Sequence, residues 1–533
     1  MVILFTGMSG IGIKTSLKNY INVHKHHSMG LSKEKPVFIS VEEEIEAAFF
    51  NLNKSKPRSK SAWLNLILTE SYPNLERFWK IAVDNVIKQV NEYYKKVPDR
   101  LIFINLHVAY YHYKTQEYFS LVFIKKLQTL KPKMIVTLID DIYEIHERLT
   151  SPGGIYHDSP NPICIELITR YHCLLNWRAK EIMMSRFIAN QLGCKNFVLA
   201  VKHSYGTLSK LIEGKPRMYL SHPISEVRRL EKAKKYPTAK KIRDEITSIS
   251  EELSEEFTVF LPTTIDEFRI YGEKVKSPSG EVLEEKYQLH PLLTKRWDSE
   301  FYNKPESLLY LKSGFADNNN LWQKELEEKS AHHEVLKNLA DLISDQVTTR
   351  DYTLVEQSDA IVIYRPIFNG NASGGVKEEH NYFMKLKEDL KTKSHCFIYC
   401  PAVDINLYMV REFEARLQNE ICETKTLSVP PRKQFKNLSP HEISTLINAK
   451  MNQSLVLDVL NEVIDNHDIT INVQDSKSPL GKNKILIFKE EFVNEFLRSL
   501  SVVSDYETNA TLFCSDSITI EDFVKRICKY YSK

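Results

Sequence analysis

Residues 1–23 read MVILFTGMSGIGIKTSLKNYINV, and the order of residue types in them sets the fold class of the first part of the chain. Val2 to Thr6 is a β-rich apolar run with no basic stretch ahead of it, so it is read as a strand and not as a secretion signal. Gly7, Gly10 and Gly12 form a turn, and the residues after Thr15 open a helix. Glycines at a strand-to-helix turn let backbone amides curl round phosphate oxygens, while the helix N-terminus adds a favourable dipole. Gly7, Gly10, Gly12, Lys14 and Thr15 are therefore the expected phosphate cradle, with the Thr15 hydroxyl a candidate magnesium ligand. The usual phosphate-loop pattern sets lysine directly after the last glycine. Here Ile13 stands in that place and Lys14 comes one residue late.

Outward from this turn, short apolar runs alternate with longer amphipathic stretches, the pattern of a parallel α/β sheet. Further strands are expected at Pro36 to Val41, Leu101 to Leu106, Met134 to Ile139 and Asn196 to Val201. Gly214-Lys215-Pro216 breaks the pattern and marks a domain boundary. A second run has strands at Arg217 to Leu220, Phe257 to Leu261, Ala360 to Tyr364 and Ser394 to Cys400. A polar insertion from about Gly272 to His333 separates two of them, and the charged stretch Ser225 to Glu256 is expected to be a solvated helical face. After about residue 411 come strands near Ile469 to Val473, Lys484 to Phe488 and Ala510 to Cys514, to which no chemistry is assigned.

The 533 residues exceed what one hydrophobic core serves, so two or three domains are expected. A net charge of +3 supplies no electrostatic case for nucleic acid or membrane as a partner. The eight cysteines form no C-x-x-C pair and are read as free thiols. No apolar run approaches the roughly 18 to 20 residues of a spanning helix. The expectation is a cytoplasmic protein and a homo-oligomer.

Several segments of the first part resemble the archaeal-type adenylate kinases over about 200 residues. These are the glycine turn, LIFINLHVAYYH around His107, LKPKMIVTLIDDIYEIHERL, and NWRAKEIMMSRFIANQLGCKNFVL. The resemblance implies ATP, with Mg2+, at the glycine turn, and Arg148 and Arg178 as phosphate clamps. It aligns Lys14-Thr15 with the family's hydroxyl pair. Asp140 and Asp141 are candidates to support a metal, or an ordinary helix cap; His107 is either functional or a capping histidine at a strand end. The kinases carry lid arginines, but the stretch after Arg148, LTSPGGIYHDSPNP, has no Arg or Lys before Arg170. Nucleotide binding is thus the first expectation, and an additional ATP-dependent nucleotide kinase activity is left open.

Residues 350–387 read RDYTLVEQSDAIVIYRPIFNGNASGGVKEEHNYFMKLK. A buried strand leads through an Asn/Gly/Ser loop to Ser373-Gly374-Gly375 and a helix start holding Glu378 and Glu379. Cleaving an N-glycosidic bond needs a carboxylate that traps or stabilises oxocarbenium-like charge, and a rigid helix start can present one. Asp351 or Asp359 is the candidate second acid. The strand Arg217 to Leu220 ends in Ser221-His222-Pro223, at the edge where parallel sheets bind ligands, which makes Tyr219, Ser221, His222 and Pro223 candidate substrate contacts along with Ser373, Gly374 and Gly375.

Residues 217–405 resemble the nucleoside 2-deoxyribosyltransferases and their relatives, the deoxynucleotide N-glycosidases, through the strand ending YLSHP, the strand SDAIVIY and the turn SGGVKEE. By that match Glu379 is the nucleophile, Glu378 its neighbour, and Asp351 and Asp359 stand in the family's aspartate places. The implied architecture is α/β throughout. A P-loop kinase-like parallel sheet domain (1–213) precedes a Rossmann-like, flavodoxin-like deoxyribosyltransferase-type domain (214–410) with its insertion at about 272–333, and a small α/β C-terminal segment (411–533) follows. The implied activity is cleavage or exchange of the N-glycosidic bond of a nucleoside, nucleotide or NAD-like molecule, with nucleotide-depleting defence against phage as a possible setting. Two alternatives stay open: a nucleotide kinase with a nucleotide-sensing second half, and a non-catalytic nucleotide-binding assembly protein.

Overall fold

The computed structural model describes residues 1–23, 34–53, 70–112, 115, 117–151, 154–157, 164–265, 267, 270–276, 282–289, 333–368, 371–392, 395–400, 404, 470–472, 485–487, 510–514 and 519–532. The protein is α/β with parallel sheets. It divides into two compact units, one made of Met1–Arg217 and Ser254–Ser358, the other of Met218–Leu253 and Asp359–Lys533.

In the first unit the strands β1 (Val2–Thr6), β2 (Val37–Ser40), β3 (Ile102–Asn105), β4 (Met134–Ile139) and β5 (Lys195–Ala200) lie in the order β2-β3-β1-β4-β5. Every pairing is parallel. All five residues of β1 are buried, as expected for a central strand covered on both faces. The helices of this unit include α1 (Ile13–Val23), α2 (Val41–Asn53), α3 (Tyr72–Lys96), α4 (Ile142–Thr150), α5 (Cys164–Leu192) and α6 (Tyr205–Glu213). Helix α3 buries Leu75, Phe78, Trp79, Ala82, Val83, Val86 and Val90, a three-and-four spacing that makes one apolar stripe. The stripe joins Val2, Leu4, Ile102 and Ile104 in one core. Because strand side chains alternate, Phe5 and Phe103 pack together with ring centres 5.1 Å apart, and Tyr20 of α1 meets Phe103 at 5.7 Å.

A linear division at residue 214 is not how the contacts fall, since residues 254–358 belong with the first unit. Polar ties hold them there. The Leu261 amide donates to Nε2 of His203 at 3.1 Å, Gln357 exchanges two hydrogen bonds with the Val198 backbone, and Gln346 donates to the Leu175 carbonyl at 2.9 Å. Within the expected insertion, Ile270–Lys276 pairs antiparallel with Val282–Leu289, and residues 290–332 lie outside the described residues.

Among the described residues of the second unit four strands run parallel, β6 (Arg217–Ser221), β7 (Ala360–Tyr364), β8 (His395–Tyr399) and β9 (Ala510–Cys514), in the order β6-β7-β8-β9. Strand β9 pairs in full register with β8, so this part of 411–533 completes the sheet and is not a separate segment. Most of 411–509 lies outside the described residues. The charged stretch forms α7 (Ile224–Lys232) and α8 (Tyr236–Ser254), the latter with a buried stripe through Ala239, Ile242, Ile246, Ile249 and Leu253. It is thus solvated on one face only. Helix α9 (Gly374–Asp389) follows β7, and α10 (Ile520–Tyr531) ends the chain.

Cys396 and Cys400 are buried, and they, Cys173, Cys194 and Cys528 are in no disulfide among the described residues. Among the described residues no helix is long and apolar enough to cross a membrane.

Candidate functional site

The glycine turn of the first unit is built as its sequence demands. Gly10 and Gly12 have φ of +88° and +81°, a region that side chains with a Cβ resist. A Cβ on Gly7 would lie 2.7 Å from the Leu138 carbonyl oxygen. The Ser16 amide donates to the Gly12 carbonyl at 2.9 Å and starts α1. Among the described residues the amides of Gly12, Ile13 and Lys14 receive no acceptor from the chain, which is the ordinary state of a helix start and suits an anion.

The side chains expected to serve that turn are committed elsewhere. Lys14 pairs with Glu43 at the start of α2. Arg148, expected as a phosphate clamp, donates to the carbonyls of Gly10 and Ile11 at 2.6 and 3.0 Å and forms an ion pair with buried Asp140. Arg178, the other expected clamp, is buried and bonded to both oxygens of Glu267 at 2.5 and 2.9 Å, to Gln346 at 3.0 Å and to the Asp140 carbonyl at 3.2 Å. Both arginines are braces, because each sits where backbone carbonyls or a buried carboxylate already absorb its donors. Asp141 caps α4 by accepting from the Tyr143 amide at 2.8 Å, so the capping reading replaces metal support for Asp140 and Asp141. Thr15 is exposed, and no group of His, Cys, Asp and Glu suited to a metal occurs among the described residues. His107 meets the Gly7 carbonyl through Nδ1, and its amide donates to Glu42 at 2.9 Å; it caps a strand end. The backbone of the turn fits a phosphate, whereas these side chains do not offer the free cations of phosphoryl transfer.

Sequence reasoning missed Glu181 and Glu267. Glu181, fully buried on α5, accepts from the amides of Gly7, Val108 and Ala109 at 3.1, 3.1 and 2.8 Å and from the Thr6 hydroxyl. Burial raises its carboxyl pKa against the pull of His107 and these donors. One signal was available: Leu174, Trp177, Glu181, Ser185 and Ile188 fall on one buried helical stripe, where an acid must be satisfied by partners.

In the second unit the expected residues converge. Tyr219 and Ser221 stand two apart on β6 and so share a face. The Tyr219 hydroxyl donates to Oε1 of Glu379 at 2.7 Å and the Ser221 hydroxyl to Oε2 at 2.5 Å. Both carboxylate oxygens are thereby fixed at the C-terminal end of β6. Glu379 sits in the second turn of α9, whose N-cap Ser373 makes no side-chain cap. A Cβ added to Gly374 or Gly375 would meet nothing within 4 Å, so these glycines border open space. Ser373 donates its amide to the Pro366 carbonyl at 2.9 Å, which sets where α9 begins.

Glu378 and Asp359 are not brought to this carboxylate. Glu378 faces solvent. Asp359 precedes β7, whereas Ile363, four residues on, is the register partner of Ser221; at about 3.3 Å per residue the strand separates them by about 13 Å. Asp359 therefore lies at the opposite edge of the sheet and does not assist Glu379. Asp351 belongs to the first unit, on the helix His333–Glu356, and its carboxylate is paired with Arg350 at 2.9 Å. His222 points its Nδ1 to the Leu220 carbonyl at 3.2 Å, and burial lowers its pKa to about 4. Pro223 is buried and accepts from the Val227 amide at 3.2 Å, starting α7.

Compared with known proteins, the chain matches no family model and no curated sequence.

Proposed function

We propose that the second unit cleaves or exchanges the N-glycosidic bond of a nucleoside, a nucleotide or an NAD-like molecule, with Glu379 as nucleophile. The convergence of Tyr219 and Ser221 on the two oxygens of Glu379 carries this reading. A carboxylate held by two hydroxyls is oriented before substrate arrives. Glu379 attacks C1′ as the C1′–N bond breaks and the bonding pair leaves on the base nitrogen; a nucleobase then takes a proton from solvent, whereas the cationic nicotinamide of an NAD-like molecule leaves neutral without one. Water or a second base then attacks C1′ and releases Glu379. The two hydroxyls stabilise the carboxylate as it departs from the glycosyl ester. A Rossmann-like, flavodoxin-like arrangement is the finer fold proposed for this unit, consistent with its parallel strands and the position of Glu379 beside their C-terminal edge.

For the first unit the proposal is nucleotide binding on a P-loop kinase-like sheet without phosphoryl transfer. The free amides of the glycine turn and the strand order β2-β3-β1-β4-β5 support it. The commitments of Lys14, Arg148 and Arg178 argue against a working kinase.

The purified protein is tested with a panel of nucleosides, deoxynucleotides and NAD, with and without ATP and magnesium, by chromatography of free base and phosphorylated products. Base release that Glu379→Gln abolishes supports the proposal. Full release by Glu379→Gln, or phosphoryl transfer without base release, contradicts it.

A further inference from the structure

Arg365 follows β7 directly, and Ser373 precedes α9, the helix that bears Glu379. Arg365 turns the chain at once, with φ of +51°, a left-handed conformation unfavourable for a residue with a long side chain. Lys131, Lys234 and Lys391 share such a φ, so it is the contacts of the Arg365 side chain that set this corner apart. Its amide donates to the Tyr399 carbonyl at 2.7 Å. Its guanidinium pairs with Asp404 through Nε at 2.8 Å and Nη2 at 2.6 Å, and lies 3.6 Å from Glu245. Glu245 of α8 also accepts from the Tyr364 hydroxyl. The same guanidinium stands 5.0 Å over the ring of Phe368.

Phe368 belongs to a short hairpin in which Ile367 pairs with Ala372 and Phe368 with Asn371. The Ser373 amide closes that hairpin on Pro366 and fixes the first turn of α9. Contacts thus run without a gap from the Arg365 clamp through Phe368 and Ser373 to the helix that bears Glu379, and on to Tyr219 and Ser221.

We propose that Arg365 is a positioning residue for Glu379: its clamp on Asp404, Glu245 and Phe368 sets the hairpin and hence the orientation of the carboxylate. The catalytic part of this inference rests on the reading of Glu379 as nucleophile, whereas the geometric part does not. A buried ion pair is weak evidence for net stability and in some proteins fixes an arrangement instead, and backbone strain clusters at functional sites.

The test uses the full chain with carboxyl-13C glutamate, the Glu379 signal being assigned by its loss in Glu379→Gln. Arg365→Gly relieves the left-handed corner while removing the clamp, Arg365→Lys keeps a cation, and Asp404→Asn weakens the clamp from the other side. The expected result is a native-like Arg365→Gly protein in which the Glu379 signal and its titration midpoint both move. Base release then falls at least tenfold in kcat with KM within threefold, and Arg365→Lys and Asp404→Asn are intermediate. A folded Arg365→Gly protein with the Glu379 signal and titration unchanged overturns the proposal, as does failure of all three variants to fold. If the wild type releases no base from any substrate, the proposed activity falls while the carboxyl signal still decides the role of Arg365.

Discussion

Glu181 and Glu379 are both carboxylates beside the C-terminal end of a parallel strand, one in each unit, and they are held in opposite ways. Glu181 is fully buried and takes three backbone amides and a hydroxyl, so its acceptor capacity is spent on the fold. Glu379 is partly exposed, takes two side-chain hydroxyls, and follows two glycines that border open space. A carboxylate closed in by amides does structural work; one held by hydroxyls and open on a side is available for chemistry. The same contrast separates Arg148 and Arg178, which face inward to carbonyls and acids, from the hydroxyls of β6, which face Glu379.

The largest effect that would break this comparison is on stability. Glu181→Ala leaves three amides without their acceptor and should cost roughly 3 to 5 kcal/mol in denaturant unfolding. Glu379→Ala should cost about 1 kcal/mol, because the Tyr219 and Ser221 hydroxyls can rotate toward other acceptors. Equal losses at the two positions would remove the distinction.

Acid comes next. Burial holds His203 of the first unit and His222 and His380 of the second at about 4, below the ordinary 6.5. Below pH 6.5 the unfolded chain binds protons that the folded chain refuses, so stability declines as pH falls from 6.5 toward 4. Each histidine should remove about 2 kcal/mol between pH 7 and pH 5. Thermal midpoints across that range check it, and replacing one of the three by glutamine should flatten the dependence.

Smaller effects belong to the glycine turn. Gly10→Ala forces a positive φ and sets a Cβ 3.0 Å from Leu149, and should cost about 1 to 2 kcal/mol. Lys14→Ala breaks an exposed pair with Glu43 and should cost under about 1 kcal/mol. Its nucleotide affinity, measured by calorimetry, should stay within about tenfold of the wild type, as expected where backbone amides and not Lys14 hold the phosphate.

The strands were legible because their signal is local. Val2–Thr6, Met134–Ile139, Ala360–Tyr364 and Ala510–Cys514 stand where the apolar runs put them. Tyr219, Ser221 and Glu379 were legible as candidates since strand ends and a glycine-led helix start are local features as well. What could not be read was which charges cancel which. Arg178 meets Glu267 across 89 positions and Arg365 meets Asp404 across 39, and neither separation leaves a periodic trace. Assignment of 254–358 to the first unit failed for the same reason, its ties being single side chains such as His203, Gln346 and Gln357. Asp359 was misplaced by attention to sequence neighbourhood, when one strand length sets it at the far edge of the sheet.

Covalent capture tests the central claim most directly. The wild type and Glu379→Gln are incubated with a 2′-fluoro-substituted nucleoside, whose fluorine slows loss of the glycosyl group, then quenched in acid and weighed intact by mass spectrometry. The account predicts a wild-type adduct of one glycosyl unit that maps by proteolysis to Glu379, and no adduct on Glu379→Gln. An adduct on another residue, or free base released from the unsubstituted nucleoside by Glu379→Gln at the wild-type rate, would contradict it.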